Sequence, residues 1–309
     1  MITALALNPS IDMTLDIANF TFGGLNRVES ARRDAGGKGL NVALAAQAVG
    51  ARAECVGYMH RENAALFEDK LRKNQVGYDF IYCDGATRTN IKVRDEAAGV
   101  VTELNQSGPA VTDGEIRLMS EKVLQHAAQS DFMVLTGSLP PACPAGYYRE
   151  LMEEVAHTGC KCVLDADGTR LLDGLRAKPF LIKPNKFELE LLTGRKLENL
   201  GDIRAAAMKL VDGGVNVVAV SMGGDGAFIT DGAQSFYAPR LDVEISSTVG
   251  AGDSMVAGMT AGFEMGRDLS CAFAMGVAAA TAACRTEGTT VFERADYEAM
   301  LKMVRLEAI

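Results

Sequence analysis

The segment Val249-Gly250-Ala251-Gly252-Asp253-Ser254 stands directly before a run of small and apolar residues. That run, roughly 254–263, predicts a buried helix whose N-terminus lies at the two glycines and the aspartate. A helix N-terminus offers unpaired N–H groups and about half a unit of positive charge. Glycines there let an anion approach the backbone, so the segment predicts a phosphate-binding turn. Asp253 either caps this helix or takes a proton from an attacking group.

The rest of the chain alternates between strand-like and helical patterns. The predicted strands are 3–7, 53–58, 132–136, 160–164, 180–182 and 215–221. The predicted helices between them are 39–49, 64–74, 113–129, 147–158 and 203–213. This alternation is typical of parallel strands joined by crossover helices, in an open α/β sandwich. Ligands of such sheets bind beyond the carboxyl ends of the strands.

Two regions interrupt the alternation. Residues 11–28 and 89–104 contain short alternating segments with no helix between them, which predicts a small antiparallel sheet. Such a sheet serves as a lid, as a dimerisation surface or as both. Because no linker divides the chain, we expect one domain, 1–309, with a lid formed by about 11–34 and 87–107.

The composition limits the classes of partner. The net charge of −9 argues against a nucleic-acid partner, because binding phosphates along a strand needs a basic excess. No apolar run reaches the roughly 18 residues of a membrane span, and the N-terminus lacks the basic region of a signal peptide. Seven cysteines and three histidines show no metal-ligand spacing. A cytoplasmic location with no membrane partner is the expectation.

A second glycine cluster, Ala35-Gly36-Gly37-Lys38-Gly39-Leu40-Asn41, also precedes a helical run. It matches neither the nucleotide P-loop nor the dinucleotide-binding fingerprint. It combines close backbone approach with an ammonium and an amide, which suits an anionic, hydroxylated ligand. Together with Arg27 and Arg88, Lys38 would form a clamp for a phosphate. The alternative is a glycine-rich turn with three solvated charges.

Further polar residues follow predicted strands. Asp12 lies where it could bind sugar hydroxyls, and Ser138 lies at the end of another predicted strand. Asn185 and Glu188 are three residues apart at a helix start, so a capping interaction explains them almost as well as a role near magnesium. The segment 221–226 is either a tight turn or a nucleotide-contact loop.

Taken in order, the motifs N-P-S-I-D, G-G-K-G-L-N, T-R-T-N, G-S-L-P-P, K-P-N-x-x-E and V-G-A-G-D span the chain from residue 1 to about 290. This set resembles the ribokinase-like (PfkB-type) sugar kinases, and within them the branch that phosphorylates ketohexose phosphates. The resemblance implies a ribokinase-like three-layer α/β/α sandwich with a mostly parallel central sheet and a small β-sheet lid.

The resemblance also implies roles for individual residues. Asp253 would be the general base, and the backbone of Gly250, Ala251 and Gly252 would complete the anion hole. The residues expected to bind the sugar phosphate are Asp12, Arg27, Gly36, Gly37, Lys38, Asn41, Arg88 and Ser138. Those expected to bind ATP are Lys183, Asn185, Ser221, Gly223, Gly226, Val277 and Thr281. Glu188 would hold Mg²⁺ through water.

The implied reaction is ATP-dependent phosphorylation of fructose 1-phosphate at O6, giving fructose 1,6-bisphosphate. Tagatose 6-phosphate is the alternative acceptor, followed by fructose 6-phosphate. A non-catalytic sugar-phosphate sensor is the rival from another class, and an oxidoreductase is weaker because the dinucleotide fingerprint is missing. ATP and Mg²⁺ are the expected cofactors, dependence on a monovalent cation is left open, and a homodimer through the lid is expected.

Two positions depart from the family pattern. The segment 57–63 lacks the usual glycine-rich character. Asp167 stands where relatives more often have serine, and we expect its side chain to point to solvent.

Overall fold

The structure, a computed structural model, describes residues 1–288 and 290–309. Its strands are β1 Ile2–Ala6, β2 Ser10–Ile17, β3 Ser30–Gly36, β4 Ala53–His60, β5 Gly77–Cys83, β6 Arg88–Asp95, β7 Val100–Asn105, β8 Phe132–Thr136, β9 Lys161–Asp165, β10 Leu181–Ile182, β11 Val217–Ser221, β12 Ala227–Thr230, β13 Ser235–Ala238 and β14 Glu307–Ala308. Its helices are α1 Lys38–Ala48, α2 Ala64–Lys73, α3 Asp113–Ala127, α4 Tyr147–Val155, α5 Gly168–Gly174, α6 Lys186–Thr193, α7 Leu200–Asp212, α8 Ala251–Glu264, α9 Leu269–Cys284 and α10 Arg294–Met303. Within these residues no helix has both the length and the hydropathy to cross a membrane.

A large central sheet organises the molecule. Among the described residues it has ten strands, in the order β14-β13-β12-β11-β10-β9-β8-β1-β4-β5. The strands from β11 to β5 are parallel, as the alternation of strands and helices predicts. The strands β12, β13 and β14 continue the sheet in antiparallel fashion at one edge. This edge was missed, because its strands are only two to four residues long.

Helices cover both faces of the sheet. Along β1, Ile2 and Ala4 pack into the core under α1, α2, α8, α9 and α10, whereas Leu5 packs into the core under α3 to α7. Both faces of these parallel strands are therefore buried, which explains their nearly continuous apolar character. The predicted three-layer α/β/α sandwich is confirmed.

A second, four-stranded sheet has the order β3-β2-β6-β7. The pairs β2–β3 and β6–β7 are antiparallel, but β2 and β6 run parallel. The predicted small antiparallel sheet is therefore present, with one parallel pair at its centre. The chain passes through β3, α1, β4, α2 and β5 between β2 and β6, and a connection of that length permits a parallel pair. We call this sheet the lid.

Small residues fix the position of α8. A Cβ on Gly258 would lie 2.5 Å from the Met275 carbonyl oxygen, and one on Gly276 would lie 2.4 Å from Met259 Cγ. The close approach of α8 and α9 thus requires glycine at both positions. The helix begins at Ala251 rather than near residue 254, because Gly250 takes a φ of 77° as its N-cap, a conformation that only glycine adopts readily.

Candidate active site

A cleft of about 680 Å³ is lined by the carboxyl ends of the central strands, the N-termini of α1 and α8, and residues of the lid. It brings together most of the predicted site residues. Its lining includes Asp12, Gly37, Lys38, Asn41, Arg88, Ser138, Lys183, Asn185, Glu188, Ser221, Gly250, Gly252 and Asp253. This location is the one expected for a ligand of an open α/β sheet.

Asp253 lies in the first turn of α8 and is buried. Asn41 Nδ2 donates a hydrogen bond to its Oδ2 atom at 2.8 Å. Burial raises the pKa of this carboxyl group, and the nearby Lys38 ammonium opposes that shift. Within the described chain no side chain caps α8, so the positive end of the helix is directed to the cleft. The site thus places a proton acceptor beside an anion-binding helix N-terminus.

Asp165, at the end of β9, binds two lysines. Lys38 Nζ donates to its Oδ2 atom at 3.0 Å, and Lys183 Nζ lies 3.3 Å from its Oδ1 atom. Thr136 Oγ1 also donates to Oδ2, at 3.1 Å. Burial opposes ionisation of this carboxyl group, but the ammonium groups of Lys183 and Lys38 lower its pKa. The pKa of Lys38 is raised, chiefly by Asp165 and further by Asp253.

The lid side of the cleft carries groups suited to hydroxyls. Asp12 Oδ1 accepts hydrogen bonds from Ser10 Oγ at 3.0 Å and from Asn90 Nδ2 at 3.3 Å. A Cβ on Gly36 would lie 2.7 Å from Asp12 Oδ2, so only glycine leaves room for this carboxylate. In the part of the chain that the structure describes, Asn41 Oδ1 and Asn90 Oδ1 are buried and accept no hydrogen bond. Both residues line the cleft.

The three cationic side chains that were predicted to bind a phosphate have different surroundings. The Arg88 guanidinium donates to the backbone carbonyls of Asn8, Pro9 and Gln106, and it lines the cleft. Lys38 also lines the cleft but is directed to Asp165. Arg27 is exposed in the loop between β2 and β3 and is not part of the cleft lining. The predicted clamp by all three residues stays a prediction.

A second cavity, of about 460 Å³, adjoins the cleft and shares Asn185, Ser221 and Gly252 with it. Its walls are mostly apolar and include Gly223, Gly226, Ala251, Val277 and Thr281, all of them predicted site residues. A mostly apolar cavity that continues from a polar cleft has the form of a site for a base attached to phosphates.

Asn185 and Glu188 form a capping box on α6. Glu188 N donates to Asn185 Oδ1 at 2.8 Å, and Asn185 N donates to Glu188 Oε2 at 2.8 Å. Capping, the alternative that the spacing left open, is therefore present. Burial raises the pKa of Glu188, which lines the cleft. Among the described residues no group of three or more His, Cys, Asp or Glu side chains is placed to hold a metal ion.

Asp165, Asn90 and Lys92 are among the cleft residues that sequence reasoning missed. Asn90 pairs with Asp12 in the β2–β6 register, and the Lys92 ammonium lies 4.0 Å from Asp12 Oδ2. A period-2 signal placed Asn90 and Lys92 on one strand face, but the parallel pairing with β2 was needed to bring them to Asp12. Asp167 lines the rim with 62% of its side chain exposed and pairs with Arg170.

A model of the pfkB family of carbohydrate kinases matches residues 5–295, and the chain belongs to this family. The predicted class of enzyme, a sugar kinase, is confirmed.

The chain is also similar to individual proteins with known names. The chain is 38% identical over 270 residues to the 1-phosphofructokinase of Rhodobacter capsulatus, covering 87% of this chain and 85% of the relative. It is also similar to two crystal structures of phosphofructokinase-2 from Escherichia coli. The complex with substrates and products has a TM-score of 0.91 at 30% identity and 98% coverage of both chains. The complex with potassium has a TM-score of 0.90 at the same identity and coverage.

Proposed function

We propose that this protein transfers the γ-phosphoryl group of ATP to O6 of fructose 1-phosphate, giving fructose 1,6-bisphosphate. The observation that carries phosphoryl transfer is the buried Asp253 carboxylate at the uncapped N-terminus of α8, facing a cleft rich in cations. The choice of fructose 1-phosphate is supported by the name of the relative from Rhodobacter capsulatus.

Asp253 would take the proton of the acceptor hydroxyl as the oxygen attacks phosphorus. A positioned general base is worth about 10²–10⁴ in rate. The backbone of 250–253 and the positive end of α8 would stabilise the negative charge on the transferred group. Because burial raises the pKa of Asp253, it is a stronger base than an exposed carboxylate.

The sugar ring would lie between α1 and the lid. Asp12, Asn41 and Ser138 would bind its hydroxyls, with Gly36 and Gly37 giving the backbone close access. Two unused acceptors, Asn41 Oδ1 and Asn90 Oδ1, fit donating hydroxyl groups. A carbohydrate supplies donors of this kind at each ring position.

The phosphate that the sugar already carries would meet Arg88 at the lid. Its guanidinium is anchored on three backbone carbonyls, which fixes its position, and within the described residues it forms no salt bridge. Arg27 would join this clamp if the loop 18–29 moves over the cleft. Lys38 would add positive charge from α1.

The adenine of ATP would occupy the apolar cavity near Val277 and Thr281, with 221–226 along its edge. Its phosphates would extend past Lys183 and Asn185 towards α8. Mg²⁺ would be held by these phosphates and by water bound to Glu188, and it would neutralise charge on the phosphates. A single half-buried carboxylate fits such a site, since Mg²⁺ in kinases keeps several waters.

We extend the proposal to a monovalent cation, because the structure of phosphofructokinase-2 from Escherichia coli contains potassium. Turnover in potassium chloride should then exceed turnover in tetramethylammonium chloride at equal ionic strength. Equal rates in the two salts would remove the cation from the proposal.

We also propose a cytoplasmic homodimer that pairs through the lid. Phe22 and Leu25 are 96% and 83% exposed in the loop between β2 and β3, and Val100, Val101 and Leu104 are exposed on β7. A second lid would cover these apolar side chains.

The test is ADP release by the purified protein with Mg²⁺ATP and four acceptors: fructose 1-phosphate, tagatose 6-phosphate, fructose 6-phosphate and fructose. A kcat/KM for fructose 1-phosphate well above the others supports the proposal. Preference for a 6-phosphate would leave the phosphoryl-transfer reaction unchanged but would mean that the sugar ring binds in the opposite orientation. This is possible because a ketofuranose has hydroxymethyl arms on both sides of its ring oxygen. No turnover on any acceptor would favour the alternative of a non-catalytic sugar-phosphate sensor.

A further inference from the structure

Two ammonium groups meet at one buried carboxylate close to the base. Asp165 and Lys183 are 4% and 6% exposed, and both lie at carboxyl ends of neighbouring strands. Lys38 reaches the same carboxylate from the first residue of α1. Neither lysine is adjacent to Asp165 in sequence, so the arrangement exists only in the folded chain.

This group lies against the anion-binding turn. A Cβ on Gly252 would be 3.4 Å from Lys183 Nζ, which places that ammonium beside the first turn of α8. Lys38 is close enough to Asp253 for the aspartate to raise its pKa. Both ammonium groups are therefore close to the point where the base and the helix N-terminus meet.

We propose that Asp165 is a positioning residue, which holds the Lys38 and Lys183 ammonium groups against the phosphoryl group during its transfer. The inference rests on the proposed function and assigns Lys38 to the transferred phosphoryl group rather than to the sugar's own phosphate. The hydrogen bond from Lys38 to Asp165 supports this assignment, because it holds Lys38 beside Lys183. Arg88, which would bind the sugar's own phosphate, is held elsewhere, on the carbonyls of Asn8 and Gln106.

The physical reason lies in repulsion and burial. Two ammonium groups held on one carboxylate repel each other, and burial disfavours their charged forms. The Asp165 carboxylate offsets both effects for each lysine. An oxyanion is then met by two fixed donors whose positions need no rearrangement as charge develops.

Asp165→Asn tests this idea. The amide keeps one acceptor but presents a donor to the second ammonium, so one lysine turns away or loses its proton. We expect kcat to fall by roughly 100-fold or more, the loss typical of one misplaced oxyanion donor. The KM for fructose 1-phosphate should change little, because Asp12, Asn41 and Arg88 are untouched.

The pH profile gives a readout that a purely structural role would not move. Without Asp165 the pKa of Lys38 falls, so the variant should lose activity on the basic side at a lower pH than the wild type. The other titratable groups that face this cluster are Asp253 on α8, Glu188 on α6 and Tyr148 on α4. Burial raises the pKa of each of these three groups. If the variant and the wild type lose activity at the same high pH, the inference is wrong.

Glu54→Gln is the matched control. Glu54 is a largely buried carboxylate on β4 that contacts Thr3 Oγ1 and His126 Nδ1, each at 2.6 Å, away from the cleft. We expect this variant to lose stability but to keep the wild-type kcat and pH profile. An equal loss of kcat in both variants would reduce Asp165 to a structural role.

A charge-balanced double variant keeps the inference testable if Asp165→Asn alone fails to fold. Lys183→Met together with Asp165→Asn removes one charge of each sign. If Asp165 acts through the lysines, adding Asp165→Asn to Lys183→Met should lower kcat by a smaller factor than it does in the wild type, because one of its two partners is already gone. A cost equal to the product of the two single losses would refute the inference.

Nucleotide affinity separates this inference from the proposed function. By calorimetry, the wild type should bind ATP more tightly than ADP, and Asp165→Asn should lose most of that preference, since both lysines would face the terminal phosphoryl group. An unchanged preference would contradict the inference even if no acceptor is turned over. An inactive wild-type protein would instead refute the proposed function.

Discussion

Asp253→Asn is the substitution that tests the proposed chemistry most directly. The amide has nearly the shape of the carboxylate and keeps an oxygen to accept the bond from Asn41 Nδ2, now 2.8 Å long. It cannot take a proton from the acceptor hydroxyl. The variant should therefore fold and bind fructose 1-phosphate but lose turnover.

The expected loss follows from the worth of a general base. A factor of about 10²–10⁴ in kcat corresponds to about 3 to 5 kcal/mol of transition-state stabilisation. The free energy of unfolding, by contrast, should stay the same or rise. Burial raises the pKa of Asp253, so its ionised form costs free energy in the folded state at neutral pH. Asparagine removes that cost, and the free energy of unfolding should be equal or higher.

The assay couples ADP release to a spectroscopic readout, with KM for the sugar phosphate and Tm measured on the same preparations. Asp268→Asn is the control, because it makes the same change at the N-cap of α9, where an amide can still accept from Cys271 N. We expect the control to keep its kcat. Near-normal turnover of Asp253→Asn, with the control unchanged, would refute the assignment of the base.

Further predictions concern the clamp, the pH dependence, the α8 turn and the dimer. Arg88→Ala should raise the KM for fructose 1-phosphate by about tenfold or more, since a hydrogen bond to a charged group contributes about 1.5–3 kcal/mol; an unchanged KM in steady-state assays would remove it from the clamp. The kcat of the wild type should fall on the acidic side at a higher pH than the usual aspartate pKa of about 3.9, because Asp253 must be ionised and burial raises its pKa; a flat profile down to that pH would contradict this. Gly250→Ala should lower the free energy of unfolding by about 1–2 kcal/mol, since φ is 77° there, and should lower kcat; denaturant unfolding with unchanged stability would show that the turn tolerates a side chain. Phe22→Ser with Leu25→Ser should shift the protein towards monomer in sedimentation, and an unchanged assembly would place the dimer contact elsewhere.

The central fold could be predicted because its signals are local and repeated. Each predicted strand of the parallel sheet is a short apolar run, and each predicted crossover helix has its own periodicity. The lid was found by the same means, through the alternation in 90–94 and 100–104. That its central pair runs parallel was not predicted, since a pairing between strands about 80 residues apart has no local signal.

The candidate residues of the site were found in the glycine-rich and polar segments that follow strands. Asp253 and Lys38 belong to this group, since a glycine-rich turn before a helix is itself a sign of anion binding. Asp165 was missed, because an aspartate at the end of a strand is common and its two lysine partners lie 127 and 18 residues away in sequence.

The sequence by itself determined the layered α/β architecture, the kinase class and the chemical types at the cleft. Only the tertiary structure decided which groups meet. It joined Lys38 and Lys183 on Asp165 and paired Asn90 with Asp12. It also left Arg27 outside the cleft lining. The physical reason is that secondary structure depends on neighbouring residues, whereas electrostatic and hydrogen-bonding partners depend on distances that only the packed chain sets.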